Sequence, residues 1–297
     1  LFFFLAVIQL TIFVRPIDPG ERGRSFLYGR DTLAHDAVVQ LWIQQRAAEA
    51  PFRIPLWMPE LQGGLPTVGA FLWTPLAPQA WPFLLLPFPE AQMLGWILCL
   101  AIAGCGAAFA ARALGSGLGG SAVAGTAWML SGHVVTLIHA GHFQKVMALA
   151  WLPWMIAGAL VMARSRTAGL RLRGAVWVAG GLALMMLCGH PQIAYLGILL
   201  SSMFWVFFAA RWSLGRLAMF LAAVLVGLIL AGPQLIPGKE MSVLSNRAAG
   251  VEYEEAVETS YPPGEVAEFL IPRIKGSSVF SDVYTGDWGE RIVSDYA

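Results

Sequence analysis

Charge is what this chain lacks most. Only 12% of its 297 residues are Asp, Glu, Lys or Arg, about half the share in ordinary soluble domains, so there is too little charge to cover the surface of a water-soluble fold of this length. No basic patch of the kind that grips nucleic acid is present. No HExxH motif or paired-cysteine pattern occurs to support zinc at His139-x-x-His142 with His190, and no DxD pair sharpens a divalent-cation reading. The three cysteines, Cys99, Cys105 and Cys188, have no metal spacing and read as small apolar packing residues.

What is present is hydrocarbon, arranged in blocks. Apolar runs recur over roughly 1–14, 92–114, 121–138, 146–163, 174–189, 193–210 and 217–236. Most approach the ~20 residues that cross a bilayer as helix at 1.5 Å per residue. The expected fold is therefore an all-α polytopic membrane protein, with a bundle of about seven spans over 1–236 and an outer loop over 15–90. A further extracytoplasmic segment covers 237–297 and is expected to precede spans beyond it. The chain opens at Leu1 inside an apolar run without the basic flank of a signal peptide, so 1–14 reads as a shortened first span.

Arginine sets the orientation. The short loops on one side carry Arg112, Arg164, Arg166, Arg171, Arg173, Arg211 and Arg216 and no acidic residue, whereas all 18 Asp and Glu fall on the other side. The positive-inside rule makes the arginine side cytoplasmic. Within the long outer loop, Asp31 or Thr32 can cap a helix running to about Ala50. Such a helix would lie along the membrane surface with Trp42 at headgroup level. The stretch with Pro75, Pro78, Pro82, Pro87 and Pro89 cannot be one helix, and a re-entrant path buried by protein is expected there.

The five histidines, His35, His133, His139, His142 and His190, all fall in the outer half or outer loops. Ionisable groups at that depth are costly unless they pair or serve a pathway. His139, His142 and Lys145 follow one another at intervals of three and share a face if helix continues through Gly141. Gly189-His190-Pro191-Gln192 is a turn short enough to sit at the outer boundary. Asp36, followed by Gln40 and Gln44 on the same helical face, can accept a proton from a hydroxyl nucleophile. Asp31 and Asp36 offer the oxygen ligands that suit Mg²⁺ or Mn²⁺. Trp42, Trp57, Trp73 and Trp81 can stack on sugar rings or belong to an interfacial belt.

Several stretches together carry a resemblance: Asp36-Ala-Val-Val-Gln40, then Pro55-Leu-Trp57-Met-Pro-Glu-Leu-Gln-Gly63-Gly64-Leu-Pro66, Ala140-Gly-His142-Phe-Gln-Lys145, and Gly189-His190-Pro-Gln192. Ser245-Asn-Arg247, Phe269-Leu-Ile-Pro272 and Tyr284-Thr-Gly286-Asp-Trp-Gly continue it. In this order they resemble the bacterial YfhO-like membrane proteins, which are grouped with the GT-C glycosyltransferases. The resemblance implies an enzyme of the bacterial cytoplasmic (inner) membrane with an extracytoplasmic active face. It would transfer a sugar from a polyprenyl-phosphate donor to a cell-envelope glycan, lipid or protein acceptor. In that class an aspartate of the first outer loop is the catalytic base or metal ligand, and Asp36 is the matching position. His35, Gln40, His139, His142, Lys145, His190, Gln192 and Arg247 are then the expected substrate and phosphate contacts. A transporter or flippase of a lipid-linked saccharide is the alternative, although every charge lies at a membrane edge and no inverted repeat is visible.

Overall fold

The computed structural model describes residues 1–11, 15–16, 25–26, 37–49, 55–61, 63–209, 212–245, 248–250, 252–253, 257, 263, 266–267 and 271. The chain divides into two compact units, Leu1–Met241 and Ser242–Ala297, and the helical bundle belongs to the first.

Among the described residues five helical segments are long and apolar enough to cross a membrane. They are α4 (Phe88–Ala113), α5 (Leu118–Met129) with α6 (Gly132–Ala140) as one span, α7 (Phe143–Arg164), α8 (Ala168–Leu187) and α9 (Pro191–Phe208). A sixth candidate is the pair α10 (Leu214–Leu230) and α11 (Gly232–Val243), bent by 70° between them. The expected straight run over 217–236 is thus corrected to a broken one, and the cause is local. Pro233 has no N–H and crowds the carbonyl four residues back, so helix cannot pass through Gly232-Pro233 unbent. The first apolar run forms α1 (Phe2–Thr11), whose ten residues rise only ~15 Å.

Helix α7 is the hub. Its spanning window is 83% buried, and it packs on α4, α8 and α9. Small residues let backbones close at these crossings, as expected where the hydrophobic effect no longer drives helices together. A methyl added at Gly158 would stand 2.7 Å from the Gly174 carbonyl oxygen of α8. One at Gly106 of α4 would stand 2.7 Å from the Trp154 ring.

Arg112, Arg171 and Arg216 lie at one end of the bundle, where they meet backbone carbonyls at or near helix ends. Arg216 donates to the Ala163 and Ser165 oxygens, Arg112 to Ser116 O, and Arg171 to Arg166 O. The opposite end, here called the histidine end, is covered by the loop that precedes α4. Its described parts include α2 (Ala37–Glu49), the hairpin of β3 (Trp57–Met58) and β4 (Leu65–Pro66), a 3₁₀ turn at Pro78–Ala80, and α3 (Pro82–Leu85). Earlier in the loop β1 (Arg15–Pro16) pairs with β2 (Ser25–Phe26).

The proline-rich stretch is broken, as its sequence requires, and is buried within protein only in part, since Trp81, Leu84, Leu85 and Leu86 are exposed. Thr67, Trp73, Thr74, Ala77, Gln79, Ala80 and Phe83 are all buried. Helix α2 does not present Trp42 to the headgroups. Trp42 packs with Val39, Ile43, Met58, Leu72 and Trp73 in a separate apolar cluster, and Arg46 sits 5.6 Å from its ring centre. The expected headgroup position of Trp42 is corrected there, because the loop folds back over α2 and gives the indole a protein partner. The proposed caps Asp31 and Thr32 lie outside the described residues.

Candidate functional site

Two turns at the histidine end are built alike. Helix α6 ends on Gly141 (φ +87°), whose left-handed conformation favours glycine, with Gly141 N–H donating to Ile138 O and His142 N–H to Leu137 O. Helix α8 is followed by Gly189 (φ +78°), which donates to Met186 O. In each case the next residue is a histidine at the N-cap of a new helix: His142 before α7 and His190 before α9. Neither histidine side chain caps its own helix. Two helix N-termini thus open at the same end with amide donors not taken by a capping side chain, and each carries the positive end of a macrodipole.

Lys145, in the first turn of α7, completes the group. His190 is half-buried, and its pKa is pushed below the ordinary histidine value. Burial is the largest cause, followed by the positive charge of Lys145 and then by His142. The three side chains are therefore electrostatic neighbours. The buried Nδ1 of His190 has no hydrogen-bond partner among the described residues. Lys145 makes no ion pair with any described residue. An anion supplies what both lack among the described residues, an ion-pair partner for Lys145 and a hydrogen-bond partner for His190 Nδ1.

The overlying loop holds these turns in place. Gln144, between His142 and Lys145, donates to the Phe71 carbonyl at 2.6 Å. Phe71 has φ +57°, a sparsely populated conformation for a bulky residue. The methyl of Thr74 lies where a Cβ on Gly189 would come within 2.8 Å. Gln79 donates to Met147 O, and Gln234 of α11 donates to Val68 O at 2.7 Å. Residues 68–79 are thus pinned from three sides.

The other candidates are placed as follows. His139 is exposed near the end of α6 and lines a small hollow with Gln9, Leu10, Val135 and Ile138. The left-handed Gly141 breaks the shared face that the spacing of His139, His142 and Lys145 suggested. Gln192 is exposed in the first turn of α9, and His133 is exposed at the start of α6. Gln40 is buried in α2, with its Oε1 lacking a partner among the described residues. Of the four tryptophans, Trp42 and Trp73 are buried, which removes them as sugar-stacking platforms, while Trp57 and Trp81 are more than half exposed. His35, Asp31, Asp36 and Arg247 lie outside the described residues. Among the described residues no three His, Cys, Asp or Glu gather as a metal site, and the carboxylates considered for Mg²⁺ or Mn²⁺ are Asp31 and Asp36.

Sequence reasoning quoted Gly141-His142 and Gly189-His190 within longer stretches but did not read them as one repeated turn. It also missed Gln9, Gln79 and Gln92, which are buried within the bundle.

The fold and this polar end define a multi-pass helical membrane protein. No protein-family model, curated protein or solved structure matches the chain.

Proposed function

We propose that this chain is the membrane-embedded part of a GT-C-type, YfhO-like glycosyltransferase that takes a sugar from a polyprenyl-phosphate donor at the extracytoplasmic face. The observation that supports the reading is the cluster of His142, Lys145 and His190 at two helix N-termini, at the end of the bundle opposite the arginines. A polyprenyl phosphate leaves as an anion, and its departure is favoured by fixed positive charge and aimed donors. Lys145 supplies a point charge, and the two histidines and the Gln144, Lys145 and Gln192 amides supply donors. Asp36 is the proposed base that takes the proton of the acceptor hydroxyl as the glycosidic carbon passes from phosphate to acceptor. Asp31 and Asp36 are the proposed ligands if a divalent cation takes part, and no step here depends on one.

The test is Asp36→Asn in the full-length protein. Loss of a general base costs about 10²–10⁴-fold in rate, so transfer of labelled sugar should fall by that factor while the protein stays folded in the membrane. Undiminished transfer would remove the assignment. A flippase is the second reading, favoured by the bent α10–α11 pair and by the break between α5 and α6, since interrupted helices mark transporters.

A further inference from the structure

Between Glu90 and Glu240 the chain carries no acidic residue, yet it carries seven arginines. Four of them meet at the turn between α7 and α8, at the end of the bundle opposite the histidines. Arg164 closes α7, Arg166 follows in the turn, and Arg171, in the first turn of α8, donates to the Arg166 carbonyl at 2.8 Å. Arg216, in the first turn of α10, donates to the Ala163 and Ser165 carbonyls at 3.4 Å, one on each side of Arg164. None of the four makes an ion pair with a described residue, and α7, α8 and α10 contain no carboxylate.

Backbone carbonyls answer only part of this cluster. A guanidinium has five N–H donors; Arg171 uses one on Arg166 O, and Arg216 uses two. Arg164 and Arg166 are exposed. The same corner also exposes hydrocarbon: Leu170 and Leu172 at the start of α8, Leu214 at the start of α10, and Trp212 two residues before it. Trp212 stands edge-on to the buried Trp205 of α9, with ring centres 5.2 Å apart, and so fixes the approach of the chain to α10. Charge and apolar surface lie side by side where candidate spans end, which is the depth of lipid headgroups.

We propose that this corner is a binding site for one anionic phospholipid, its phosphodiester on Arg164, Arg166, Arg171 and Arg216 and its acyl chains against Leu170, Leu172 and Leu214. Three observations select this occupant. Arginine forks match phosphate oxygens, and these arginines have no carboxylate to turn to. A zwitterionic headgroup would bring its own cation against four arginines with no acid in α7, α8 or α10 to receive it, so the net charge of the headgroup must be negative. A soluble anion would leave the exposed leucines uncovered, whereas a lipid meets both halves of the corner. Arg216 already ties α10 to the α7–α8 turn, so an occupied site holds α10 against its neighbours. The assignment stands whatever chemistry the histidine end performs.

The test uses full-length protein, with native mass spectrometry to measure binding of phosphatidylglycerol and phosphatidylcholine, and thermal unfolding in nanodiscs of each. Inorganic phosphate and glycerophosphoglycerol, the headgroup without chains, are the soluble probes. Phosphatidylglycerol should bind saturably and raise Tm over phosphatidylcholine. Each arginine beside an anionic lipid contributes about fivefold in affinity. The double variant Arg164→Gln/Arg166→Gln, chosen because both side chains are exposed, should therefore bind phosphatidylglycerol about 25-fold more weakly and lose the lipid-dependent gain in Tm. Arg112→Gln, at the same end but on α4, should leave the affinity unchanged. Equal binding of the two phospholipids would overturn the proposal, as would an unchanged affinity in the double variant. Binding of inorganic phosphate or glycerophosphoglycerol as tight as that of the lipid would replace it with a soluble-anion site. A loss in Arg112→Gln as large as that expected for one site arginine would reduce it to diffuse surface charge.

Discussion

Replacing Lys145 with Met is the most informative single perturbation of the cluster, because it removes the charge and keeps the length of the side chain. Lys145 is the second cause, after burial, of the depressed pKa of His190. In Lys145→Met the His190 titration should move upward, back toward the ordinary value near 6.5, but only part of the way, because burial remains. Affinity should move with it. A hydrogen bond to a charged group contributes about 1.5–3 kcal/mol, so a phosphodiester ligand should bind about 10- to 150-fold more weakly, at 1.4 kcal/mol per decade. The pH dependence follows with a definite sign. A histidine whose folded pKa is lowered stays neutral in the fold at pH values where the unfolded chain takes up a proton, so it costs stability as pH falls below about 6.5. A bound phosphodiester favours the protonated ring, so binding should tighten as pH falls toward and below about 6.5, and His190→Asn should flatten that slope. A phosphodiester is the right probe, since a monoester titrates near pH 6 itself. Histidine-selective NMR in nanodiscs, with calorimetric titration alongside, measures both quantities. An unmoved His190 titration with unchanged affinity in Lys145→Met would refute the idea that these side chains form one anion site.

Gly189→Ala should destabilise the histidine end. The left-handed backbone costs a side-chain-bearing residue roughly 1–2 kcal/mol, and the new Cβ would press on the Thr74 methyl at 2.8 Å; a lowered Tm with weaker phosphodiester binding is expected, and an unchanged Tm would argue against that turn geometry. Cysteines placed at Ser165 and Ser260 should be labelled by an impermeant reagent from opposite sides of intact cells, Ser260 from outside. Labelling from one side would break the arginine-based orientation and the span count together.

Much of the bundle was legible because crossing a bilayer imposes a length. The runs at 92–114, 146–163 and 174–189 lie within or almost within α4, α7 and the α8 region, where nothing competes with helix. The proline-rich stretch was legible for the opposite reason, since Pro75, Pro78 and Pro82 forbid a single helix. Reading failed where one composition has two uses. Trp42 looks like an interfacial anchor, yet it is a core residue of the loop, and indole chemistry alone does not separate the two. His139 and His142 are spaced for one helical face, but the left-handed Gly141 sends them to different surroundings. The cavity that Leu5, Ile8, Gln9, Met129, Leu130 and Val135 line was invisible because lipid-facing, protein-facing and cavity-lining positions are all apolar within a membrane. Only Gln9 marked it, and a lone glutamine in a short apolar run carries little signal. The catalytic candidate Asp36 lies outside the described residues and rests on the resemblance and on its place just before α2.

The central claim is that the histidine end takes a lipid phosphate and releases its sugar on that same side. The most direct measurement is a side-resolved transfer assay with full-length protein in sealed proteoliposomes, with polyprenyl-phosphate-linked labelled sugar and acceptor supplied only to the leaflet that the histidine end faces. Sugar should reach the acceptor there, lost in Asp36→Asn and slowed by Lys145→Met. Movement of intact lipid-linked sugar to the opposite leaflet, with no transfer, would contradict the account and favour a flippase.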